Sequence, residues 1–188
     1  MIAELSGTGD ACAEMAIEEL TWMRLPQDHS VAFDTLANKV EAEFDSFCRP
    51  LLDVPEALRD GVVKAAWLDW SSMVHPHRLL KRPAMYMSKN WMTNVWAWDH
   101  AFNALAVCLV DPDLAWDQLM VIFDHQDENG QIPDFINDVR YLTCFVKPPV
   151  HGWILTRMIE FAGDLTRERL EQAYDRLSRW TDWWFTYR

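Results

Sequence analysis

Two stretches of the chain gather aromatic rings, carboxylates, amides and a lysine at close spacing. The first holds Met87-Ser88-Lys89-Asn90-Trp91 and then Trp96-Ala97-Trp98-Asp99-His100-Ala101-Phe102. The second opens on His125-Gln126-Asp127-Glu128-Asn129-Gly130-Gln131-Ile132-Pro133-Asp134 and returns at Lys147-Pro148-Pro149-Val150-His151-Gly152-Trp153. A pyranose ring presents an apolar C–H face together with hydroxyls that donate and accept. Trp beside Asp, Gln and Lys therefore supplies both halves of a saccharide site. The chain carries 11 Trp in 188 residues. So many indoles, each with an N–H to satisfy, serve either to pack wide helices or to stack on sugar rings, and composition leaves both uses open.

The elements that must position these groups read as helices. Apolar residues at Cys12, Met15, Ala16, Leu20 and Met23 form an i, i+3, i+4 stripe over 10–25, stopped by Pro26. Ser30 is placed to cap a second helix whose face is Phe33, Leu36, Ala37, Val40, Phe44 and Phe47, closed by Pro50. Pro55 suits the first helical position of a third helix, which runs through Trp70 to His75-Pro76. Further helices are predicted over 99–109, 114–125 and 150–162, the last ending at Gly163. A final one starts near Thr166 and runs to the chain end. Residues 77–96 and 127–149 show no period and read as long irregular connections, which in a compact domain are usually functional. The expected fold is all-α, about seven helices joined alternately by short and long links, as in rings and solenoids of helical hairpins.

Charge and composition exclude several classes. Twenty-nine acids against 17 bases give a net charge of −12, the wrong sign for neutralising phosphate or an anionic bilayer, so neither nucleic acid nor membrane is an expected partner. Half of the residues are hydrophobic, too apolar a composition for disorder. The N-terminus lacks the basic and apolar segments of a signal peptide, and the four widely spaced Cys suggest reduced, buried thiols. A cytoplasmic protein is the expectation. No metal or other cofactor is expected: His75-Pro76-His77 lacks an acid in register, and the turn at 127–130 lacks the bidentate Glu of a calcium loop.

Trp96-x-Trp98-Asp99-x-Ala101-Phe102, followed by Gly130-Gln131-Ile132-Pro133-Asp134 and Lys147-Pro148-Pro149, resembles the inverting α-glycosidases built as (α/α)6 barrels. The similarity is to the mannosylglycerate hydrolase and processing α-glucosidase group, with trehalases as more distant relatives. These three ordered motifs lie between Ser88 and Trp153. The resemblance implies about half of an (α/α)6 toroid, a small saccharide or glycoside as partner, and substrate contacts for Trp98, Asp99, Asp134 and Lys147, with Gln126 as a further candidate. It also implies a general acid in a later Glu-Ser-Gly-x-Asp-like motif and a general base beyond that, and the chain contains neither. Inverting hydrolysis needs two carboxyls about 6.5–9.5 Å apart, and the resemblance assigns both Asp99 and Asp134 to binding. Twelve helices of roughly 12 residues with roughly 5-residue links need about 200 residues before any long loop. The expectation is that residues 1–188 are an N-terminal part of such a domain, without the catalytic C-terminal portion and inactive alone.

Plainer readings stand beside these. Asp99 at a helix start suits a dipole-favoured cap, Trp96 and Trp98 suit the core, and Lys147 suits a solvated loop. His100, His125 and His151 adjoin the site segments and are read as packing or hydrogen-bonding groups. The alternative function is a non-catalytic helical module that binds carbohydrate or a protein through its Trp-rich rim.

Overall fold

The computed structural model describes Met15, residues 31–88 and residues 92–188. The helix expected over 10–25 and the cap at Ser30 lie outside the described residues. The chain divides between Ser46 and Phe47 into two units. In the first, the described residues form most of α1 (Phe33–Cys48), with Phe33, Leu36 and Val40 exposed along its stripe.

The second unit begins with a 3-10 turn at Arg49–Leu51, built on Pro50, and α2 (Glu56–Ser71). Pro55 sits one position before the helix rather than first within it, in an extended conformation at ψ 141°. α3 (Ala97–Val107) buries Ala97, Ala101, Ala104 and Val107, a stripe of mostly small side chains that lets α4 (Pro112–Met120) and α5 (His151–Ala162) pack closely against it. Asp111 caps α4, its carboxylate accepting from the N–H groups of Asp113 and Leu114 at 2.9 Å, with Pro112 in the first helical position. Instead of one helix to His125, α4 stops at Met120 and a separate 3-10 turn covers Phe123–His125. Gly163, at φ 95°, ends α5. Thr166 caps α6 (Arg167–Tyr187) by accepting from Arg169 N–H at 3.3 Å. The core joins α3, α4 and α5 through Leu119, Ile122, Phe123 and Ile154, with Trp180 of α6 fully buried.

The described residues are mostly helical, as the periodicity predicts. The correction concerns the long connections, which hold four short strands, and the end of the expected third helix, where the helix stops at Ser71 and a fifth strand follows. β1 (Met73–Val74) pairs antiparallel with β2 (Ala84–Met85). β3 (Val95–Trp96), β4 (Phe135–Ile136) and β5 (Tyr141–Leu142) form an antiparallel sheet in which Trp96 faces Phe135 and Phe135 faces Leu142. Each strand is two residues long, too short to leave a period in the sequence. Gln118, fully buried on α4, holds β2 in place: its Oε1 accepts from Met85 N–H and its Nε2 donates to the Pro83 carbonyl, both at 2.9 Å.

Candidate functional site

The three-stranded sheet carries the second connection across to the start of α3. β3 runs directly into α3, so Trp98 and Asp99 are the second and third residues of that helix. β4 follows Asp134, and β4 pairs with β3. Backbone bonds lock the junction: Ala97 N–H donates to the Asp134 carbonyl at 2.9 Å, and Asp134 N–H donates to the Leu142 carbonyl at 2.6 Å.

Side chains converge on the same place. Lys147 Nζ lies 3.0 Å from Asp134 Oδ1 and 5.3 Å from the centroid of the Trp96 ring. Trp96 in turn packs on Phe135 at 5.0 Å between ring centroids. Asp134 is only 3% exposed. Its Oδ1 has a charge partner in Lys147 but no donor in hydrogen-bonding geometry among the described residues. The Asp99 carboxyl belongs to the same electrostatic group. Burial raises its pKa first, and the Asp134 charge pushes the same way, while its own backbone N–H, Lys147 and hydrogen bonding from Trp98 pull it down. Trp98 is 37% exposed and meets Phe102 edge-on at 6.2 Å, so it stands at the open margin of the group. Chemically this is a partly covered pair of carboxylates with one ammonium, flanked by indole faces. It suits a ligand rich in hydroxyls with an apolar face.

Of the five candidates, Trp98, Asp99, Asp134 and Lys147 come together. Gln126 is engaged elsewhere: its Nε2 donates to the carbonyls of Gly130 and Arg176, each at 2.9 Å, stapling the 126–130 turn to α6. Asp99 is the third residue of α3, where it still faces the positive helix end, while Trp96 occupies the capping position without a side-chain bond. The expectation that the cysteines are buried holds for Cys48 and Cys108 but not for Cys144, which is exposed.

Two histidines brace the junction, as hydrogen-bonding groups. His100 Nε2 donates to the Met85 carbonyl and its Nδ1 accepts from Trp96 N–H at 3.1 Å. His151 Nε2 donates to the Ala97 carbonyl at 3.0 Å. Burial pushes both imidazoles down to about 4, so both are neutral near neutral pH. Phe135, which packs against the Trp96 ring that lies under Lys147, escaped the sequence reading. Only the pairing of β4 with β3 brings it there.

Residues 92–188 match the family described as the mannosylglycerate hydrolase MGH1-like glycoside hydrolase domain. The chain belongs to that family. The match covers all four converging residues and agrees with the resemblance carried by the Trp-Asp, Pro-Asp and Lys-Pro-Pro motifs. Among curated relatives, a mannosylglycerate hydrolase of Rubrobacter radiotolerans is 26% identical over 118 residues, half of this chain and 27% of the relative. An uncharacterized protein of Saccharomyces cerevisiae is 28% identical over 144 residues, 63% of this chain and 12% of that protein. The chain thus spans about a quarter or less of the curated relatives it matches. Among the described residues of this glycoside hydrolase-family chain, no helix is long and apolar enough to cross a membrane.

Proposed function

We propose that this chain supplies the sugar-binding part of a glycoside hydrolase that cleaves an α-linked glycoside with inversion, in the cytoplasm. The observation that carries the reading is the meeting of Trp98, Asp99, Asp134 and Lys147 at the N-terminal end of α3, inside the stretch that matches the family. Trp98 offers a ring for the C–H face of a sugar, the carboxylates accept from its hydroxyls, and Lys147 donates to them. Arrangement of the helices as part of an (α/α)6 toroid belongs to the same proposal. The name of the bacterial relative makes mannosylglycerate the first glycoside to try.

Because both carboxyls of the group serve binding, the purified 188-residue chain hydrolyses no glycoside. Release of mannose from mannosylglycerate by this chain would overturn that part of the reading. Isothermal titration with D-mannose and D-glucose tests the binding itself. Trp98→Ala and Asp99→Asn should each weaken the preferred sugar about tenfold or more, since each removes a contact worth about 1–2 kcal/mol. Unchanged affinity in both variants removes these residues from the site, and no binding by the unaltered chain removes the reading.

A further inference from the structure

His151 is the first residue of α5 and is fully buried, with its ring edge-on to Phe123 at 5.1 Å. A buried imidazole costs desolvation, so the partner it has found is informative. That partner is the Ala97 carbonyl, 3.0 Å from Nε2. In a helix this carbonyl already accepts the N–H four residues on, so the imidazole adds a second bond that helix formation does not require. Ala97 N–H donates in the other direction, to the Asp134 carbonyl. One peptide residue thereby holds three segments together: the start of α3 with Trp98 and Asp99, the approach to β4 with Asp134, and the start of α5, four residues after Lys147. Nδ1 of His151 is buried and has no partner among the described residues. Its donor bond to Ala97 is therefore the polar contact the ring makes there.

We propose that His151 is a positioning residue for the sugar-binding group, setting the distance of Trp98 and Asp99 from Asp134 and Lys147 through its bond to Ala97. The proposal rests on the sugar-binding reading for its consequence, but its geometry can be tested without a sugar. His151→Phe keeps a planar ring and loses the donor. His151→Gln places an amide N–H near the position of Nε2 and keeps it. His151→Asn is too short to reach Ala97 and stands in if the Phe variant does not fold.

Residue-resolved amide exchange is read first. In His151→Phe the Ala97 amide, bonded to Asp134, should exchange about tenfold faster than in the unaltered chain, while the core amides of α4 keep their protection. His151→Gln should restore the slow rate. Titration with D-mannose and D-glucose should show affinity falling about tenfold in the Phe variant and recovering in the Gln variant. Protection of Ala97 unchanged in the Phe and Asn variants, neither of which donates to the Ala97 carbonyl, overturns the proposal, as does equal loss in the Gln variant, which would mark a packing role only. Should the unaltered chain bind neither sugar, the sugar-binding reading falls, and the exchange rates still decide whether His151 holds the junction.

Discussion

The ion pair between Lys147 and Asp134 is lopsided: the acid is almost fully buried, whereas the base keeps 29% of its side chain exposed. Removing the base strands a carboxylate in a poor dielectric, a larger loss than removing both charges. Lys147→Met should therefore destabilise the protein by about 2 kcal/mol, below the range for fully buried pairs because solvent screens the lysine. Adding Asp134→Asn to that variant should recover most of the loss. Urea midpoints of the two variants check this, and equal destabilisation in both would show that the stranded carboxylate is not the source of the loss. Asp99 behaves differently. Burial raises its pKa, so its ionised form is disfavoured in the folded state, and stability is lost as pH rises from the unfolded value of 3.8 through the raised folded one. Asp99→Asn should stabilise the fold near neutral pH while weakening sugar binding, a combination expected where binding geometry is held against local stability. The pairing of Trp98 with Asp99 was legible from adjacent positions in sequence. The partnership of both with Asp134 and Lys147 was not, because 35 and 48 residues separate Asp99 from them.

At the level of elements, caps and strands divide what sequence can reveal from what it cannot. Gly163 and Thr166 act within three or four residues of themselves, so the helix ends they mark are readable locally, whereas the cap at Asp111 starts α4 two residues before the expected 114. The two-residue strands are too short to carry a local signal, and the pairing that builds the site, Trp96 with Phe135, spans 39 residues. Gly130 lies between these cases. The Asp127–Gly130 turn is visible in sequence, but its pressure on α6 is not: at φ 97°, a Cβ there would stand 2.2 Å from the Arg179 carbonyl oxygen. Gly163 has a similar φ of 95° and open space around it. Gly130→Ala should accordingly lower stability by about 3 kcal/mol or more, and Gly163→Ala by only about 1 kcal/mol. Thermal unfolding of the two variants separates collision from backbone strain, and equal effects would refute the close approach.

For the whole molecule, the two braces of the α3 junction also set an acid limit. His100 and His151 titrate at about 4 when folded and near 6.5 when unfolded. Between those values the unfolded chain binds more protons, so their contribution is complete above about 6.5 and is lost as pH falls toward 4. Each imidazole is worth about 3 kcal/mol over that span, a large part of a total stability of about 5–15 kcal/mol. Raised carboxyls such as Asp99 and Asp117 oppose the trend at its acid end. A urea midpoint that stays level from pH 7 to pH 4.5 would contradict the burial of neutral imidazoles. Apolar surface is plentiful as well: Phe185 is 86% exposed, and Leu155, Leu170 and Leu177 line an open groove between α5 and α6. Self-association of the isolated chain is expected, seen as a sedimenting mass that rises with concentration. A monodisperse monomer across that range would refute it.

Sequence alone determined the helical class, the helix ends with local caps, the acidic character and the residue types able to grip a sugar. It also carried the family resemblance, because ordered motifs survive without coordinates. Tertiary structure decided which of those residues meet. It brought Asp134 and Lys147 to the start of α3, turned Gln126 toward the α6 backbone, and left two histidines holding the junction. The physical reason is range: periodicity and capping act over one or two helical turns, whereas a site is assembled by pairings between segments that only the folded chain brings into contact.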